Sequence, residues 1–178
     1  MVSGNTEVIV GHLITKRIEI GLIEGPALRR DVRTEAFLDD ELVLVMPANH
    51  PWISLPTIPV AQLKGQPLVI RELGSGSRRV LETALEKAGL KKHDLNVVME
   101  LDSTEAILSS VEAGLGIGFV TRWAVIPRLP LGKMKTAPVK GLRIARNFLL
   151  LYPAGPKPLG IPGAFRQFAL DFRYSPPK

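Results

Sequence analysis

The chain has 178 residues, 46% hydrophobic and 22% charged, a balance that suits a folded globular protein and excludes disordered, fibrous and coiled-coil classes. It contains no cysteine, which removes disulfides, zinc–thiolate sites and thiol nucleophiles. A formal charge of +6 raises nucleic acid as a partner, but Lys and Arg are dispersed among acids and apolar residues, as on a solvated surface rather than a stripe tracking phosphates.

No window approaches about 18 uninterrupted apolar residues, and Met1-Val2-Ser3-Gly4-Asn5 lacks the charged and then apolar profile of a secretory leader. The expectation is a cytoplasmic protein without membrane contact.

In chain order, Asn5 and Thr6 are read as the cap of a first helix, which carries Ile9 and Leu13 on its apolar stripe and ends near Thr15. Residues 17–23 alternate and predict a strand that Gly25-Pro26 breaks. A second strand is expected over residues 41–46, a crossing loop over 47–59 and a single helical turn over 60–63. Residues 67–71 read as a further strand. Gly74-Ser75-Gly76-Ser77 then opens a helix in which Val80, Leu81, Ala84, Leu85 and Ala88 recur at helical spacing up to Gly89.

Residues 97–101 predict a short strand, Asp102-Ser103-Thr104-Glu105 a helix start, and residues 116–120 the returning strand. This β-α-β-α-β order implies a parallel α/β lobe of its own. The apolar residues 147–152 predict a strand covered on both faces, and a last helix aligns Phe165, Phe168, Ala169 and Phe172. The division expected is residues 1–70 with 143–178 as one lobe and 71–142 as the other, with crossing segments near Arg71 and Arg143 and a cleft between the lobes.

Several runs resemble a known family when taken together and in order. They are Arg17-Ile-Glu-Ile-Gly-Leu-Ile, Glu41-Leu-Val-Leu-Val-Met-Pro with Asn49-His50-Pro51, Pro67-Leu-Val-Ile-Arg-Glu followed by Gly74-Ser-Gly-Ser-Arg78, Ser103-Thr-Glu-Ala-Ile107, Val111-Glu-Ala-Gly-Leu-Gly-Ile-Gly118 and Arg146-Asn-Phe-Leu-Leu-Leu. Across nearly its whole length the chain is similar to the effector-binding domain of LysR-type transcription regulators. The resemblance implies two Rossmann-like lobes, a fold similar to type II periplasmic binding proteins, and an inducer held in the interlobe cleft. It also implies a homo-oligomer in the intact protein, and DNA contact only through an amino-terminal winged helix-turn-helix that this chain lacks. The family's domain opens with a strand and helix that have no counterpart here, so the first lobe is expected to be truncated. Gly4-Asn-Thr-Glu and Ile23-Glu-Gly-Pro resemble the subgroup containing regulators of sulfur assimilation and carbon fixation, which points to an anionic metabolite.

The residues themselves allow such a site. A turn with Ser75, Gly76 and Ser77 at a helix start can offer backbone N–H groups and hydroxyls to an anion, or can be a plain turn that caps its own helix. Ser103 and Thr104 at the next helix start, and Thr121 at a strand's carboxyl edge, can line the same wall or serve as ordinary caps. Thr6 can present the facing lobe's helix terminus. Glu24 can accept from a ligand amine or hydroxyl, or be a surface carboxylate, and it would repel an anion unless Arg71 or Arg78 offset it.

No catalytic constellation is found. His12, His50 and His93 are isolated from metal-ligand partners. Leu73 breaks any G-x-S-x-G elbow around Ser75, and Gly114-x-Gly116-x-Gly118 precedes a strand where a dinucleotide fingerprint would follow one. The expectation is therefore a sensing domain without enzymatic activity, metal or cofactor. The alternatives are a solute-binding transport protein of the same fold and a small anion-handling transferase.

Overall fold

The computed structural model describes residues 1–27 and 29–172. In chain order the elements are α1 (Thr6–Ile14), β1 (Gly21–Ile23), β2 (Val32–Pro47), β3 (Ile58–Pro59), β4 (Pro67–Arg71), α2 (Gly76–Lys87) and β5 (Asn96–Leu101). They continue with α3 (Thr104–Glu112), β6 (Ile117–Thr121), α4 (Arg122–Val125), β7 (Met134–Thr136), β8 (Val139–Lys140), β9 (Ile144–Pro153) and α5 (Gly160–Asp171). Short 3-10 turns cover Pro51–Ser54 and Val60–Leu63, the second as expected.

Two compact units form. Unit 1 is Met1–Asp39, Gly74–Gly76 and Arg146–Lys178; unit 2 is Asp40–Leu73 and Ser77–Ala145. The expected division placed residues 40–70 with the first lobe, whereas they belong to unit 2. The reason is packing: Leu42, Leu44 and Met46 of β2, and Leu68 and Ile70 of β4, share one apolar cluster with Leu81 and Leu85 of α2. The boundary falls inside β2, one 16-residue strand that serves both units in turn.

In unit 2 the sheet order is β2-β6-β4-β5, with β7 also on β2. β4 runs parallel to both β5 and β6, as a β-α-β-α-β segment requires. β6 lies antiparallel to the second half of β2, with Val45 opposite Gly118. Side chains alternate across this sheet with period two. Leu44, Leu68, Ile70, Ile117 and Phe119 enter the cluster under α2, while Val45, Val69 and Val120 enter a second cluster with Ile107, Leu108 and Val111 of α3. A sheet covered by helices on both faces needs apolar residues at consecutive positions, which is why β4 and β6 read as continuous apolar runs. Gly118 lets α3 approach: a methyl there would lie 2.9 Å from Ile107 Cγ2.

In unit 1 the order is β1-β9-β2, with Ile23 opposite Leu149 in an antiparallel ladder. Ile9, Val10 and Leu13 of α1 pack on Ile23, Val32 and Leu151. Only Gly21–Ile23 of the predicted 17–23 strand forms, since these three residues are the ones facing β9. The last helix also differs from expectation. Arg166 and Ala169 are its buried residues, while Phe165, Phe168 and Phe172 are exposed, because α5 docks through the row on which Arg166 pairs with Glu35. No helix among the described residues is long and apolar enough to cross a membrane.

Candidate functional site

The glycine–serine turn begins in unit 1. Asn5 precedes α1 with extended backbone, and its side-chain oxygen accepts from the Val8 N–H at 3.1 Å. The Glu7 N–H donates to the Gly74 carbonyl, which brings the turn against the amino end of α1. The contact at Gly76 is closer still. A side chain on Gly76 would run into the Glu24 carbonyl and come within 2.6 Å of the Thr6 hydroxyl, so only glycine fits. Thr6, Glu24, Ser75 and Gly76 are therefore neighbours in unit 1, with Thr6, Ser75 and Gly76 buried and Glu24 half-buried.

Glu24 stands just beyond the carboxyl end of β1. The cation beside it is Arg146, whose Nη2 lies 3.3 Å from Glu24 Oε2. The Arg146 guanidinium also sits 5.5 Å from the centroid of the Phe148 ring. Arg71 and Arg78, the two cations considered as an offset for Glu24, have carboxylates within their own unit. Arg71 grips Glu72 through two nitrogens, at 2.9 and 3.2 Å. Arg78 is held by Glu82 and Glu100, each at 2.8 Å, and donates to the Arg71 carbonyl. The Glu100 carboxylate consequently titrates below its ordinary range, chiefly through its hydrogen bond to Arg78.

Arg146 was not among the expected site residues, although a signal existed. Residues 146, 148, 150 and 152 lie on one face of β9, and Leu150 and Tyr152 are fully buried. A charged residue in phase with buried positions needs a partner or a task.

The remaining candidates belong to unit 2. Ser77 is buried at the first turn of α2. Ser103 caps α3 by accepting from the Ala106 N–H at 3.0 Å, and Thr104, the first helical residue, is half-buried. The Thr121 hydroxyl donates to the buried Asp40 carboxylate at 2.8 Å and accepts from the Trp123 N–H, so it terminates β6 and caps α4. Of the histidines, His50 accepts from the Trp52 N–H through Nδ1 and packs edge-on against that indole. Burial pushes its pKa down.

A sequence-family model described as the LysR substrate binding domain matches residues 1–172. The RuBisCO operon transcriptional regulator of Allochromatium vinosum is 30% identical over 167 residues, covering 94% of this chain and 54% of that protein. Its namesake in Acidithiobacillus ferrooxidans is 33% identical over 152 residues, covering 85% and 48%. The chain thus spans about half the length of the curated relatives it matches. Among solved structures, the Synechocystis PCC6803 CcmR regulatory domain in complex with 2-PG superposes with a TM-score of 0.83 at 22% identity, covering 93% of this chain and 78% of that one. The effector binding domain of QuiR in complex with shikimate gives 0.82 at 18% identity, covering 94% and 77%. At those identities the structures establish a shared fold, and the match along residues 1–172 establishes kinship: the chain belongs to the LysR substrate binding domain family.

Proposed function

We propose that this chain is the effector-sensing domain of a LysR-type transcription regulator and that it binds a small anionic metabolite at the glycine–serine turn. The observation that carries the reading is the convergence of Thr6, Glu24 and Gly74–Gly76 in unit 1, in a chain that matches the family over residues 1–172. Backbone N–H groups of the turn and the positive end of a helix dipole favour an anion there, by roughly 0.3–1 kcal/mol at an exposed helix terminus. Ser77, Thr104 and Thr121, all in unit 2, are proposed as ligand-contacting residues of that unit. Thr121 would have to exchange its present bond to Asp40 for one to the ligand.

Two fold neighbours carry small molecules, 2-PG in one and shikimate in the other, which supports a ligand of that size here. The ligand acts as a signal rather than a substrate: its differential affinity for two conformations shifts their populations. In a longer protein with a DNA-reading segment, acting in the cytoplasm as a homo-oligomer, that shift would alter operator binding.

A thermal-shift screen of small anions and sugar phosphates, including 2-PG and shikimate, tests the proposal, because a ligand that prefers the folded chain raises its apparent stability. At least one should raise the melting temperature in a dose-dependent way. A screen in which none does, backed by calorimetry without heat of binding, would remove the effector reading.

A further inference from the structure

The Glu24–Arg146 pair is arranged with the acid outside and the cation inside. Glu24 is 36% exposed as a side chain, whereas Arg146 is 3% exposed. The backbone of Glu24 touches Gly76, so the pair stands directly beside the glycine–serine turn. An ion pair placed to neutralise a site for any anion would present its cation to the ligand. Here the group nearer solvent is a carboxylate, which opposes a bare anion by Coulomb repulsion. The same carboxylate is a strong acceptor for any O–H or N–H that a ligand brings.

We infer that Glu24 and Arg146 set the ligand class of this site: a small anion that also carries a hydroxyl or amine donor, its charged group on the turn and its donor on Glu24. This rests on the effector-binding reading above. Arg146 is a positioning residue. From its buried place on β9, stacked near Phe148, it holds the Glu24 carboxylate at the rim and offsets part of its charge. The site thereby discriminates against inorganic anions such as sulfate, which have charge but no donor.

The test is calorimetry on the 178-residue chain with two probes, inorganic sulfate and glycerol phosphate. The unaltered chain should prefer glycerol phosphate by about tenfold or more, as a hydrogen bond to a charged acceptor implies. In Glu24→Gln, which removes the charge from a partly exposed side chain, sulfate should tighten and the preference should fall to within about threefold. Arg146→Lys should keep the preference, while Arg146→Gln should lose it in chains that still melt cooperatively. A preference unchanged in Glu24→Gln overturns the inference, as does an unaltered chain that takes both probes equally, and both results leave anion binding standing. An unaltered chain that takes neither probe overturns the inference, and a screen in which no anion raises the melting temperature overturns the effector reading with it.

Discussion

Gly76 and Gly11 are the same residue under opposite demands. Gly11 lies exposed within α1 with nothing within 4 Å of an added methyl, so Gly11→Ala should stabilise the fold by about 0.5–1 kcal/mol through helix propensity and a less flexible unfolded chain. Gly76 has the Glu24 backbone and the Thr6 hydroxyl where that methyl would go, so Gly76→Ala should destabilise by about 1–3 kcal/mol. Urea denaturation of both variants checks the signs. Equal shifts in one direction would mean that the contact of the turn with Glu24 is not close in solution. Part of this site was legible beforehand: Gly74-Ser75-Gly76-Ser77 falls between an apolar strand and a periodic helix, where a turn at a helix start is expected. Thr6 followed from the cap reading of Asn5. Arg146 did not, because one arginine ahead of an apolar strand looks like any strand-end charge until its phase with Leu150 and Tyr152 is noticed.

At the scale of elements, α5 shows how one polar pair can outrank an apolar stripe. Its aromatic row at residues 165, 168 and 172 invites burial, yet the helix docks through Arg166, which grips the Glu35 carboxylate of β2 through two nitrogens, the Nη2 contact at 2.6 Å. The Tyr152 ring lies 5.9 Å from the same guanidinium. Arg166 holds the Glu35 carboxyl below its ordinary value of 4.5. A carboxyl depressed in the folded state contributes stability above its unfolded pKa and loses it as pH falls through the folded value. The melting temperature should therefore decline as acid is added below pH about 4.5, and Arg166→Gln should lower it at neutral pH while flattening that decline. Parallel melting curves for the two chains across pH 3 to 7 would detach the pair from α5 docking. Elements defined by their own residues were legible: β4 formed over Pro67–Arg71 and the turn over Val60–Leu63, both as expected. The first half of β2 was not, because Val32-Arg-Thr-Glu-Ala-Phe-Leu-Asp mixes charge and apolar residues without strict alternation. Its strand conformation depends on its neighbour β9, a long-range partner that local pattern does not reveal.

At the scale of the molecule, the two units differ in how much apolar surface each closes within itself. Unit 2 holds two clusters on opposite faces of one sheet, one anchored by fully buried Met46, Ile58 and Leu85 and the other by Val45, Val69, Ile107, Leu108 and Met134. Among the described residues, unit 1 rests on one small cluster around Ile9, Leu13, Ile23 and Leu151, and several of its large apolar side chains, Leu22, Phe165 and Phe168 among them, remain exposed. Burial stabilises by roughly 25 cal/mol per Å² of apolar surface, so a unit that closes less of it opens at lower free energy. Amide hydrogen exchange should therefore divide along the unit boundary. Amides of β4 and β6 should exchange only with global unfolding, while those of α1 should exchange through a cheaper local opening and lose protection at lower denaturant. Gly74–Gly76 of the candidate turn lie in unit 1, so a ligand bound there should raise protection in α1 more than in β4. Protection in α1 equal to that in β4 without ligand would show that the units open as one. A conformational equilibrium biased by an effector would then have to be sought in motions smaller than the opening of unit 1.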